Sequence, residues 1–177
     1  MFAYLLLLAA VVTRVVPHAG WMNFTAVGGA LLYFGARRSW REMLTPVAVL
    51  MATDFFLTVY SYNYAFKWEA YIPTWIWYAA AIVLGRILLS ERASAWRVFA
   101  AELLGPTSFF VISNFAVWMA DGMYARSLSG LTACYVAAIP FYRNDLASTG
   151  IVLGLAFGVP ALLRRFNLSS EQAALKA

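Results

Sequence analysis

A handful of residues in this chain could do chemistry, and most of them stand in apolar surroundings. Arg14 follows the run FAYLLLLAAVVT, Asp54 is flanked by LMAT and FFLT, and Asn114 lies inside FFVISNFAVW. Arg143, Asn144 and Asp145 interrupt CYVAAIPFYRNDLASTG. An ionised side chain at the centre of a membrane helix costs about 2.5–3.5 kcal/mol on insertion scales. Two kinds of chemistry relieve that cost. Opposite charges can pair and lock helices together, or the charges can line a water-accessible cavity that takes a solute. For Asp54 the available cations are Arg14 first and Arg143 second. His18, Asn23, Tyr124, Asn144 and Asp145 add polar groups that complete a candidate solute site with Arg14, Asp54, Asn114 and Arg143. Each has a plainer reading. A lone loop His is solvated, and an Asn on an apolar helix is interhelical hydrogen-bond glue. Cys134 and His18 are the only soft metal ligands, and a Cys on an apolar stretch is usually a small buried hydrophobe.

Several chemistries have no residues to carry them. GxSxG, HExxH, Walker A and dinucleotide-binding fingerprints are missing, so no enzyme is expected. A single His removes a bis-His haem, and a single Cys removes an internal disulfide. No cofactor is expected. The formal charge of +5 would suggest nucleic acid in a soluble protein. Here it is better explained by cytoplasmic loops, and no nucleic-acid partner is expected.

The elements that must position these residues are membrane helices. The 177-residue chain is 63% hydrophobic and 12% charged, half the charge of an ordinary soluble domain. A span needs about 20 mostly apolar residues. Six stretches qualify or come close: 2–16, 23–36, 43–60, 72–89, 98–119 and 146–163. A seventh apolar piece, 131–141, is too short to cross and reads as a buried or re-entrant helix. The expected fold is all-α, a polytopic bundle of six transmembrane helices plus that short helix. Residues 1–166 form one domain, and 167–177 form a short, frayed polar tail. The apolar start lacks the basic flank and cleavage site of a secretory signal. The loops RRSWRE and SERASAWR and the closing LLRRF hold most of the Lys and Arg. The positive-inside rule then puts both termini in the cytoplasm of a bacterial inner membrane and the polar cluster on the outer side.

Small residues carry a separate signal. Ala26, Gly29 and Ala30 form a smooth face that lets a helix approach closely, either within the chain or against a membrane partner. The Tyr60–Tyr78 aromatics read chiefly as an interfacial belt, with some free to cover a pocket mouth.

The strings RVVPHAGWMNFTAVGGALLYFGA and SNFAVWM with GLTACYVAAIPFYRND resemble a family of uncharacterised small bacterial membrane proteins. The six-span outline, with termini inside and polar groups outside, also resembles the substrate-binding S-components of energy-coupling-factor (ECF) vitamin transporters. That resemblance implies a solute-binding subunit for a vitamin or other micronutrient, with Ala26, Gly29 and Ala30 docking onto an energising membrane partner. It implies pocket candidates at Arg14, Asn23, Asp54, Asn114 and Arg143; in the expected mechanism the 124–143 connection and the 60–71 loop occlude the site. The alternative is a structural or accessory subunit of a larger membrane complex.

Overall fold

The computed structural model describes residues 1–16, 22–91, 93–120 and 122–174, with side chains through Phe166. His18 and Asp121 lie outside the described residues. The helices are α1 (Phe2–Val15), α2 (Val27–Arg37), α3 (Leu44–Phe56), α4 (Ile72–Leu89), α5 (Ala95–Met119), α6 (Leu128–Leu153) and α7 (Val159–Ala174). No strand occurs among the described residues.

Side-chain contacts fix how the helices run. Tyr4, early in α1, donates to Glu42 just before α3, and Arg14, late in α1, reaches Asp54 late in α3. These two helices are therefore parallel. The Ala26 N–H at the start of α2 donates to Thr13 Oγ1, so α2 returns antiparallel to α1. Cys134 early in α6 meets the Asn114 carbonyl late in α5, which makes α5 and α6 antiparallel. Arg14, Asp54 and Asn114 thus gather at one end of the bundle, called here the site end. Arg37, Arg38, Arg41 and Arg86 gather at the other, where Arg38 pairs with Glu42 and Arg86 donates to the Arg38 carbonyl.

Helical stretches long and apolar enough to cross a membrane are Trp40–Ser61, Trp68–Leu89, Ala95–Met119 and Leu128–Phe166. By length and composition they mark a membrane protein. The distribution of side chains agrees. Large apolar residues such as Leu8, Ile76, Ile87, Val111, Phe115, Val136 and Ile151 face outward, while Thr53, Asp54, Thr58, Asp145, Ser148 and Thr149 are buried. Lipid rewards an apolar exterior and forces polar groups inward.

Six full spans are not what the helix lengths provide. At 1.5 Å per residue, α1 is about 21 Å long and α2 about 16 Å, against a hydrocarbon core of about 30 Å. Helix α2 needs no lipid contact, because nine of its eleven residues are buried between α1, α4, α5 and α6. Its small residues make that possible. A Cβ on Gly35 would fall 1.8 Å from the Ile82 carbonyl oxygen, and one on Gly85 would fall 2.0 Å from that of Leu32. The α2 and α4 backbones touch reciprocally at this pair. On the other side Gly28 meets Thr149 and Gly29 meets Val152 of α6. Ala26, Gly29 and Ala30 are therefore consumed inside the bundle, and the expected partner-docking face is not exposed.

The largest correction concerns α6. The short helix expected at 131–141 and the span expected at 146–163 are parts of one rod, which runs through Pro140 and a π turn at Gly154–Gly158 into α7. Proline removes one backbone hydrogen bond, yet membrane helices tolerate it, since lipid offers the freed backbone nothing better than staying helical. The rod starts where Ser127 accepts the Gly130 N–H (3.2 Å), and Gly130 leaves room for the Ala125 backbone beneath it. The expected 124–143 lid thus shrinks to residues before Leu128. That turn is tied down, with Trp118 Nε1 donating to the Ala125 carbonyl and Arg126 to that of Met119. Of the expected tail, residues 167–174 continue helix α7.

Candidate functional site

The short α1 and α2 leave residues 22–26 as non-helical backbone above α2, and this gap becomes a crevice. Asn23 adopts a left-handed backbone (φ 58°), a conformation Asn tolerates better than most residues. It lines three adjoining lobes that enter from the site end.

The first lobe, about 270 Å³, lies between α1 and α3 beside Arg14, Thr25, Asp54 and Tyr71. Asp54 forms its floor. The carboxylate is 1% exposed and fully engaged. Arg14 Nη2 donates to Oδ1 at 2.5 Å, Trp75 Nε1 donates to Oδ2 at 3.0 Å, and the Tyr78 hydroxyl reaches both oxygens at 3.2 and 3.3 Å. Arg14 Nη1 donates in turn to the Tyr78 oxygen (3.0 Å). The expected pairing of Asp54 with Arg14 is present, and two aromatic donors complete it. Thr58 Oγ1 donates to the Asp54 carbonyl (2.7 Å) and accepts from the Tyr71 hydroxyl (2.5 Å). A π turn, Leu57–Ser61, closes α3 directly beyond, with the Tyr62 N–H on the Leu57 carbonyl. Phe66, Tyr71 and Trp75 stack at centroid distances of 5.1 and 6.0 Å along the sequence of rings.

The second lobe, about 200 Å³, joins this network to Gly28, Trp77, Phe109 and Asp145. The third is the largest, about 430 Å³, and lies between α5 and α6. Phe109, Phe110, Phe141, Tyr124 and Tyr142 give it aromatic walls, with Ser113, Asn114, Cys134 and Asp145 as polar groups. Asp145 is 7% exposed and lines both the second and third lobes. Among the described residues no Arg or Lys forms an ion pair with it. The Thr149 hydroxyl, one turn further on, is close to the carboxyl but outside hydrogen-bonding geometry, so Thr149 Oγ1 is buried without a partner.

Of the residues expected from sequence, the crevice gathers Arg14, Asn23, Asp54, Asn114, Tyr124 and Asp145. Arg143 and Asn144 do not join it. Consecutive helical residues point about 100° apart, so Arg143, Asn144 and Asp145 splay in three directions once α6 is continuous. Arg143 is exposed and lines a separate depression with Leu131, Tyr135 and Ile139. Asn144 donates to the Met22 carbonyl (2.8 Å) and so fastens the segment that roofs the crevice. His18 cannot be placed, lying outside the described residues. Cys134 is buried, with its thiol on the Asn114 carbonyl (3.4 Å), and the described residues contain no cluster of His, Cys, Asp or Glu suited to a metal ion.

Sequence reasoning assigned Tyr71, Trp75 and Tyr78 to an interfacial belt, whereas they are the donors around Asp54 and its neighbour Thr58. Their 71–75–78 spacing, one face of a helix, was the available signal. Thr149 and Gly28 gave less warning. Thr149 follows Asp145 by one helical turn, and Gly28 touches it only through the packing of α2 on α6.

Neither a curated protein nor a solved structure matches the chain. A family model does match, over residues 1–172, so this membrane helix bundle belongs to the Family of unknown function (DUF6580).

Proposed function

We propose that the protein is the solute-binding subunit of a membrane transport system, capturing a small molecule in the three-lobed crevice. The observation that carries this reading is Asp145, a carboxyl held at mid-bundle depth, on the wall of a 430 Å³ cavity, without a cationic partner among the described residues. A purely structural role leaves no reason to bury that group. The cavity falls in the range of small-molecule sites, which is about 300–1,000 Å³, and has their aromatic walls with few polar groups. In this reading six membrane segments alternate, with α2 shielded by protein and both termini cytoplasmic, so that the crevice opens outward. The basic end, with Arg37, Arg38, Arg41 and Arg86, fits the cytoplasmic side. The S-component likeness extends the proposal to micronutrient uptake, with an energising membrane partner that meets a surface other than the buried α2.

A second reading has its own observation. The Arg14–Asp54–Tyr78–Trp75 network is complete without any solute, as expected of an accessory subunit whose charges only lock helices. Native mass spectrometry of the protein released from membranes separates the two. A bound small molecule that is lost in Asp145→Asn but kept in Arg143→Gln supports solute binding. A bare protein from cells and media of varied composition, with unchanged folding in Asp145→Asn, supports the accessory role.

A further inference from the structure

The third lobe holds information about its occupant, given the solute-binding reading. Among the described residues Asp145 is the only acidic or basic side chain on its wall, so any charge these residues give the lobe is negative. The charges of Arg14 and Asp54, in the neighbouring lobes, cancel each other at 2.5 Å. Ser113 and Asn114 line the same lobe. Ser113 Oγ donates to the Phe109 carbonyl (2.6 Å), and Asn114 Nδ2 donates to the Phe110 carbonyl (2.8 Å). Each spends a donor on backbone one turn earlier. Ser113 Oγ is left with its lone pairs, and Asn114 with the Oδ1 lone pairs and its second N–H. A carboxylate on an aromatic-walled lobe repels an anion and gives a neutral apolar molecule no compensation. It suits a ligand that brings both positive charge and N–H donors. The ring faces of Phe109, Phe110 and Tyr142 supply the remaining wall, and aromatic faces attract cations.

We infer that the solute is a small organic amine, protonated and bearing N–H donors, whose ammonium group sits against Asp145 and whose apolar body lies among Phe109, Phe110 and Tyr142. A metal cation is a poorer fit, since the described residues offer no cluster of ligands. A quaternary ammonium is also a poorer fit, because it would leave the carboxylate without an N–H donor.

The test uses the intact chain in nanodiscs and four probes of one shape: benzylammonium, benzyltrimethylammonium, benzyl alcohol and benzoate. Binding is read by isothermal titration and by the shift in thermal midpoint. Benzylammonium should bind saturably, at least tenfold tighter than benzyl alcohol or the quaternary analogue, with benzoate not binding. Asp145→Asn should weaken benzylammonium at least tenfold, and Arg143→Gln not at all. Equal binding of all four probes overturns the inference, as does binding of benzylammonium that survives Asp145→Asn. If Asp145→Asn does not fold, the ranking of the four probes on the unmodified chain decides in its place, and benzylammonium binding no tighter than benzyl alcohol overturns the inference. A co-purified solute that proves neutral or anionic overturns the amine assignment while leaving the transport reading standing. Failure of every probe together with a bare native mass spectrum overturns both.

Discussion

Two carboxyls, Asp54 and Asp145, line the same crevice and are treated oppositely by the fold. Asp54 receives an arginine and two aromatic donors from α1 and α4, and both of its oxygens are engaged. Among the described residues Asp145 is approached by the Thr149 hydroxyl of α6, outside hydrogen-bonding geometry, and by no cation. Both burials cost desolvation free energy. In the first case the bundle recovers that cost through fixed partners, and the network ties three helices together. In the second it recovers nothing visible among the described residues, which is what a site awaiting a cation looks like. The contrast separates a structural charge from a functional one more sharply than burial does, since both groups are less than a tenth exposed.

The strongest way to break this comparison is to neutralise each carboxyl in turn. Asp54→Asn strands Arg14 and should destabilise the protein by about 3 kcal/mol, the low end for breaking a buried pair because Arg14 keeps some solvent contact. Asp145→Asn should change stability by less than about 1 kcal/mol, since no partner is lost. Chemical denaturation in a fixed detergent measures both, and equal losses would remove the distinction. Adding Arg14→Gln to Asp54→Asn should recover part of the loss, and strictly additive effects would show that the pair is not coupled.

Gly28 sharpens the Asp145 side. A Cβ there would stand 2.6 Å from Thr149 Oγ1 and 3.5 Å from Asp145 Oδ1, so Gly28→Ala should cost about 1–3 kcal/mol by overpacking. It should also weaken amine binding by narrowing the second lobe. Gly154→Ala, where a Cβ meets nothing within 4 Å, should be neutral or slightly stabilising and serves as the control.

Asn23 links the two sides through its left-handed backbone. Asn23→Ala should cost about 1–2 kcal/mol from φ strain alone. Asn23→Gly should restore stability, and any binding loss that persists in Asn23→Gly belongs to the amide. The smallest expected effect is at Thr149. Replacing an unpartnered buried hydroxyl with a methyl, as Thr149→Val, should stabilise by about 1 kcal/mol. A loss there would mean that Thr149 has a hydrogen-bonding role.

Much of this was written in local composition. Long apolar runs and scarce charge define a membrane bundle, because lipid permits few other arrangements of such a chain. The Arg14–Asp54 pair was legible for a similar reason, since an ionised carboxylate at that depth has few cations within reach. The path of the chain around Pro140 was not legible. Proline ends helices in water, where freed carbonyls find solvent, and in lipid that escape is missing, so α6 continues. From this one continuity follow the outward Arg143, the roof-fastening Asn144 and the buried Asp145, as the helical rotation separates neighbours that look equivalent in sequence. Only the tertiary structure decided that Gly28, Gly29 and Gly35 serve the interior and not a partner, because a small residue permits close approach without naming what approaches. Only the packing of α1, α3 and α4 decided that Asp54 would be satisfied, and only the absence of a cation opposite α6 among the described residues left Asp145 open. Charge balance over a whole chain is set by composition, but which charges meet is a matter of which helix faces pack.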